Sequence, residues 1–279
     1  MKVGCLIYSD HKKFKNLHDN AVNSFTAFHP DVEMYSFDYT SDCEFIKFAK
    51  KTMRKNIPAG PFKYGLGYLL LENKNLDKLI ILGADTITCS RLHEFLNDNT
   101  HDILTTLDYP YDLQVNNLAV STSENHVNAD VVCFNNKDSL SYLLRLWNEN
   151  KFTYQEQAAL NIICNRTSVL TGFKNKTVDG DFKNSDVVYN VRSKGNFVAQ
   201  PNSLPWAKYI KKYKVIKNKL FTSTHEYISK SKQIKVWHYC QGWGVCSDEE
   251  MQRGIDFFTN ECFNNETLKF FKETCNCKF

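Results

Sequence analysis

An α/β fold, a mostly parallel sheet flanked by helices, is what the sequence predicts, and three observations predict it. Residues 79 to 82 are Leu-Ile-Ile-Leu, ended abruptly by Gly83, the pattern of a strand buried on both faces. Val3 to Tyr8 is a second short apolar run, followed by a helical stretch from Asn16 to Phe28 and a strand-like run from Val32 to Phe37. Strand, helix and strand in that order open a parallel sheet with right-handed crossovers. Asn128 to Asn135, NADVVCFN, is a third buried run. With 279 residues, 42% apolar and 24% charged, the chain can bury such a sheet as one domain or as one domain with an appendage.

The remaining elements follow in order. Phe45 to Glu72 reads as helical but broken by IPAGPF, residues 57 to 62, whose Pro and Gly predict a loop, with Tyr64 to Leu71 as the helix that leads into the central strand. After that strand, Arg91 to Asn97 reads as a short helix and Asp102 to Leu107 as a strand, with Asp108 to Tyr111 its exit turn. Leu140 to Trp147 and Tyr154 to Ile163 read as helices, Val187 to Val191 as a strand inside a polar stretch, and Ile234 to Tyr239 as the last strand. Trp206 to Lys219 is a basic, aromatic-interleaved helix, either a solvated face or a peripheral contact with an anionic surface through lysines 208 to 219. Ser247 with Glu250 forms a capping box, and Met251, Ile255, Phe258 and Cys262 at helical spacing predict core packing in a C-terminal helical extension. The expected division is a domain over 1–244 and a cysteine-containing helical tail over 245–279.

Composition narrows the class. A net charge of +4 is too mild to imply nucleic acid. No run of about 18 apolar residues occurs, and the N-terminal apolar stretch is too short for a signal peptide, so a soluble, cytoplasmic protein without a transmembrane segment is expected. In a reducing compartment Cys5, Cys89, Cys133 and Cys164, each within an apolar run, should be free buried thiols. Five of the ten cysteines follow position 239, yet no C-x-x-C spacing occurs, so they are free, bridged or, as a lesser alternative, zinc-bound.

The chemistry-bearing residues sit at strand ends and helix starts. Asp85 follows the central strand, where open α/β sheets collect ligands, and can hold a divalent cation or simply make a turn with Thr86. Tyr8 and Asp10 close the first strand, placed to stack on a nucleotide base and accept from it, although Asp10 also suits a helix cap. No G-x-G-x-x-G follows that strand. Lys51, Arg54, Lys55 and Lys63 flank the 57–62 loop, as phosphate donors or as solvated lysines. Asn128 and Asp130 stand at a strand entry, Glu156 and Gln157 in a helix first turn, and His238 at the end of the last strand.

Their order along the chain resembles that of the GT-A-fold glycosyltransferases, above all the glycogenin and lipopolysaccharide galactosyltransferase-like family, glycosyltransferase family eight. The family's D-A-D-T-I corresponds to Gly83, Ala84, Asp85, Thr86 and Ile87, and a later aspartate to Asp108. The asparagine of its F-N-S-G element corresponds to Asn128, its D-Q-x-x-L-N to Glu156, Gln157, Leu160 and Asn161, and its final H-x-x-G to His238 in HYCQG. The resemblance spans about residues 1–244. Three departures stand out. Gly83 replaces the first aspartate of D-x-D, which removes a ribose or metal contact. Asp130 replaces the glycine of the asparagine element, which adds a carboxylate beside the sugar pocket. Gly244, Val245 and Cys246 follow Trp243 where a lysine and tryptophan are expected, so a diphosphate partner is missing that Lys63 or a lysine of 206–219 would have to replace.

The resemblance implies sugar transfer from a nucleotide-diphosphate sugar, a uridine diphosphate sugar, to a glycan or glycoprotein acceptor. It also implies a divalent cation, Mn2+ or Mg2+, stabilising the leaving diphosphate and held by Asp85 and His238. Tyr8, Asp10, Lys63, Asp85, Thr86, Asp108 and Asn128 would bind the donor. Glu156, Gln157 and Asp130 would act at the reacting carbon, where an oxocarbenium-like transition state needs a carboxylate or amide oxygen. Asp130 is in addition a possible general base, so retention and inversion both stay open. Two other classes compete. A metal-dependent nucleotidyltransferase should show a glycine-rich loop, which residues 8–15 lack, and a non-catalytic domain would bind a partner through its cysteine-rich tail.

Overall fold

The run at 79–82 forms β3 (Lys78–Gly83), an interior strand whose every residue is buried. Around it the computed structural model describes residues 1–52, 59–88, 90–107, 127–150, 155–164, 175–177, 187–192 and 233–238. The elements are β1 (Val3–Tyr8), α1 (Lys15–Phe28), β2 (Glu33–Phe37), α2 (Glu44–Thr52), α3 (Ala59–Asn73), β3, β4 (Thr86–Thr88), α4 (His93–Asn97), β5 (Ile103–Leu107), β6 (Val127–Phe134), α5 (Lys137–Asn150), α6 (Gln155–Ile162), β7 (Asn175–Thr177), β8 (Val187–Arg192) and β9 (Gln233–His238). Six strands form one sheet in the order β2-β1-β3-β6-β5-β7, and three form a second in the order β4-β9-β8.

The expected crossover is present: β1 pairs parallel with both β2 and β3, and β5 pairs parallel with β7. The exception is β6, which runs antiparallel to β3 and to β5. The sheet is therefore mixed and mostly parallel, and the reversal matters because it turns the start of β6 towards the carboxyl edge of β3.

Period-2 alternation explains why β3 reads as an unbroken apolar run. Leu79 and Ile81 join Leu6, Tyr64, Leu66, Leu70, Leu140 and Leu160 in the core beneath α2, α3, α5 and α6. Ile80 and Leu82 join Cys5, Ile7, Phe25, Phe95, Val131 and Val236 on the opposite face, beneath α1, α4 and β9. Both faces are covered, so polar residues have no place on the strand. Lys78, at its start, is buried and donates to the carbonyls of Phe95, Leu96 and Asp98 at 3.2, 3.0 and 2.6 Å, satisfying the C-terminal end of α4.

One boundary differs from expectation. Ala59 to Phe62, predicted as loop, form the first turn of α3. Pro61 falls where a helix has no intrahelical partner for its N–H, so it costs no hydrogen bond there. Helix α3 is buried along most of its length and is apolar on all sides, which is the character of a core helix. Tyr64, fully buried, donates to the carbonyl of Ala129 at 2.7 Å and meets Phe134 edge-on, fastening α3 to β6. Among the thiols, Cys5 and Cys133 are free and buried, Cys164 is free and partly buried, and Cys43 is free and exposed. Cys89, Asp108, residues 193–232 and everything after 238, with the lysine-rich helix, the tail and its cysteines, lie outside the described residues. No helix among the described residues is long and apolar enough to cross a membrane.

Candidate active site

The ends of two strands and an interior residue of a third meet at one edge of the sheet. Tyr8 ends β1 and is the register partner of Gly83, which ends β3, and the antiparallel register Leu82 with Val131 sets Asp130 of β6 beside the same glycine. A Cβ on Gly83 would stand 2.8 Å from Oδ1 of Asp85, 2.9 Å from Cβ of Asp130 and 3.1 Å from its Cγ. Two carboxylates, one from the β3–β4 turn and one from β6, thus close on one point of bare backbone.

Helix α3 brings a cation to them. Lys63 is only 5% exposed, and its ammonium donates to Oδ1 of Asp130. Burial disfavours that ammonium more than any other influence. The charges of Asp130 and Glu156, the hydrogen bond to Asp130 and the charge of Asp85 nevertheless hold it above the ordinary lysine value. Glu156, in the first turn of α6, lies against Gly60, where a Cβ would collide with its carboxylate. Burial pushes the Glu156 carboxyl up to about 7, with Lys63 opposing and Asp130 reinforcing the shift. Lys63 is therefore not a solvated lysine beside a loop. It is the buried counter-ion of three acids.

The neighbouring backbone is fixed from several sides. Asn128 is buried and its Oδ1 accepts the N–H of Asp130 at 2.8 Å, so this amide oxygen shapes the turn of β6 that aims Asp130. Asn161 of α6 accepts the N–H of Val127 at 2.8 Å and donates to the carbonyls of Val127 and Gln157, each at 2.9 Å, clamping α6 to β6. Thr86 is buried and its hydroxyl donates to the carbonyl of Gly83 at 2.8 Å, which binds it to the turn rather than to the crevice. Tyr8 packs its ring against Phe62 with centroids 5.1 Å apart, and burial, helped by Asp10, pushes its phenol up to about 12. Asp10 is exposed and Gln157 partly exposed, while Asp108 lies outside the described residues.

Strand pairing sets His238. Thr86 and His238 are register partners in the antiparallel ladder of β4 and β9, which puts the last residue of β9 next to the turn that carries Asp85. On its other side His238 is the register partner of Arg192, the end of β8. Nothing in the local sequence marked Arg192, because its position depends on a pairing between distant segments. A second feature missed in the sequence is buried His18, between the hydroxyls of Ser9 at 3.2 Å and Ser36 at 2.8 Å, which ties the ends of β1 and β2 to α1.

A carboxylate oxygen with an imidazole is a donor set that suits manganese, and magnesium less so. Among the described residues no group of three or more His, Cys, Asp or Glu is gathered to hold an ion unaided. Across the Thr86–His238 rung the backbone of His238 is adjacent to the turn that carries Asp85.

No protein-family model matches the sequence, and no curated protein matches it. Solved structures do. The glycosyltransferase GlyE of Streptococcus pneumoniae TIGR4 superposes with a TM-score of 0.52 at 11% identity, over 98% of this chain and 64% of that one. The bifunctional glycosyltransferase WbbM gives 0.51 at 14% identity, over 98% of this chain and 52% of the other. The chain thus spans between about half and two thirds of those two proteins. The galactosyltransferase LgtC, solved with donor and acceptor sugar analogues, gives 0.46 at 15% identity over 96% and 99%. At such identities the likeness is one of fold: a glycosyltransferase fold of the GT-A kind, a mixed and mostly parallel sheet flanked by helices.

Proposed function

We propose that the chain is a glycosyltransferase of the family-eight kind, a hexosyltransferase that moves a sugar from a uridine diphosphate sugar to a hydroxyl of a glycan or glycoprotein. The observation that carries this reading is the register of Thr86 with His238, which brings an imidazole-bearing residue beside the Asp85 turn at the edge where Asp130, Glu156 and Lys63 converge. The glycosyltransferase fold supports it.

Asp85 and His238 would hold Mn2+ or Mg2+, which when bound supplies Lewis-acid stabilisation of the departing diphosphate. The chain's own residues do the rest. Arg192, the backbone register partner of His238, would be a candidate for the diphosphate role left open by the missing lysine after His238. Tyr8 and Asp10 border the nucleotide end of the crevice, with Thr86 holding the Gly83 turn in shape. Asn128 and Glu156 would serve the sugar side, the role that the resemblance also gives to Asp108. Glu156, protonated at mildly acidic pH and ionised above it, and Gln157 supply oxygens towards the reacting carbon. Lys63 offsets the repulsion among the partly buried carboxylates.

The direct experiment is hydrolysis of a panel of nucleotide sugars with and without manganese. The reading predicts turnover of one or more uridine diphosphate sugars that a chelator abolishes. No turnover of any of them contradicts it.

A further inference from the structure

Gly83 and Asp130 share one side-chain volume. The strands that carry them are adjacent and antiparallel, and a Cβ built on Gly83 falls 2.9 Å from the Cβ of Asp130 and 3.1 Å from its Cγ, closer than side-chain atoms pack. A side chain at 83 and the carboxylate of Asp130 cannot coexist without displacement. The same built Cβ lies 2.8 Å from Oδ1 of Asp85, so whichever residue fills the volume is the immediate neighbour of Asp85.

We propose that Asp130 is a donor-binding carboxylate delivered across the ladder from β6, filling the place of an acidic side chain at position 83 of β3 and accepting a hydroxyl of the nucleotide-sugar donor. Three features of the chain make the delivery specific. The antiparallel course of β6 puts its entry, not its exit, at the carboxyl edge of β3. Asn128 holds the N–H of Asp130 and Tyr64 holds the carbonyl of Ala129, so the backbone on the N-terminal side of Asp130 is pinned. The Lys63 ammonium donates to Oδ1, which fixes the carboxylate's rotation and leaves Oδ2 to accept a hydroxyl. An aspartate at 83 would project its carboxylate into the same volume and within reach of the same ammonium. The acid is therefore exchangeable between the two strands. This inference rests on the proposed donor chemistry and assigns one contact within it.

The exchange is tested on the full chain with Asp130→Asn, Asp130→Gly, Gly83→Asp and the double variant Gly83→Asp/Asp130→Gly. Binding is read by calorimetry with uridine diphosphate and with uridine diphosphate glucose, each with manganese. Asp130→Asn should weaken binding by about 10-fold or more, the loss of a hydrogen bond to a charged acceptor. A loss with both probes assigns the contact to the ribose, and a loss with the sugar-bearing probe alone assigns it to the sugar. The double variant should recover most of what Asp130→Gly loses. Gly83→Ala supplies a geometric control that needs no ligand: it should lower Tm in the native background and do so much less alongside Asp130→Gly. Unchanged binding by Asp130→Asn, or a double variant no better than Asp130→Gly together with equal Tm losses for Gly83→Ala in both backgrounds, overturns the exchange. Native protein that binds neither probe overturns the glycosyltransferase reading and this inference with it.

Discussion

The ammonium of Lys63, on helix α3, and the carboxylate of Asp130, on strand β6, form a part-buried ion pair between segments that a linear reading of the chain keeps apart. The Lys63 side chain is 6% exposed and that of Asp130 is 32%, so the pair faces the crevice through its acid. Around it the Glu156 and Asp85 carboxylates draw on the same charge, which makes Lys63 the residue on which the electrostatics of the edge depend.

Lys63→Met should therefore destabilise the fold, because it leaves Asp130 and Glu156 facing each other without a cation. A cost of about 2 kcal/mol, or a fall of roughly 4–8 °C in Tm, is expected for breaking a pair of this burial. Lys51→Met, which removes an exposed lysine from α2, should change Tm by less than about 2 °C. Thermal unfolding of the two variants checks the contrast.

Glu156 carries a pH signature with a definite sign. Its carboxyl is pushed up to about 7 in the folded chain, against an ordinary value near 4.5. Between those values the folded state holds a proton that the unfolded state has released, so the contribution of Glu156 to stability is full below about 4.5 and is lost as pH rises through 7. Glu156→Gln should remove that loss. Chemical denaturation at pH 5 and pH 8 should show native protein losing stability relative to the variant as pH rises.

Asn161 makes three backbone bonds at the junction of α6 and β6, two of them to Val127, which is buried. Asn161→Ala strands the N–H and the carbonyl of Val127, at about 1–3 kcal/mol for each unsatisfied group. The loss should appear both as a lower Tm and as weaker donor binding, since α6 carries Glu156. A variant with native Tm would remove Asn161 from the framework of the site.

What the sequence disclosed and what it hid divide along physical lines. Strands β1 and β3 and residues 131–134 of β6 were legible because burial on both faces leaves an apolar run, and α1 and α5 because a helix face repeats locally. Strand direction leaves no such signature. Asn128 and Asp130 read as a strand entry, which in a wholly parallel sheet would lie at the edge away from Asp85, and only the reversal of β6 brings Asp130 to Gly83. Lys63 read as a phosphate donor or as a solvated lysine, and its burial against Asp130, 67 residues away, is set by the fold and not by any local pattern. Pro61 and Gly60 read as loop breakers, although a first helical turn tolerates both and the bare Gly60 leaves room for Glu156. Arg192 and His238 were separated by sequence and joined by β8 and β9, a relation that no local pattern encodes.

The central claim is that Asp85, next to the Thr86 and His238 rung, helps grip the cation on which donor binding depends. Calorimetric titration of uridine diphosphate with and without manganese, on native protein and on Asp85→Ala, tests it most directly. The account predicts binding that requires manganese in the native chain and is lost in the variant. Binding of equal strength without metal, or undiminished manganese-dependent binding by Asp85→Ala, would contradict it.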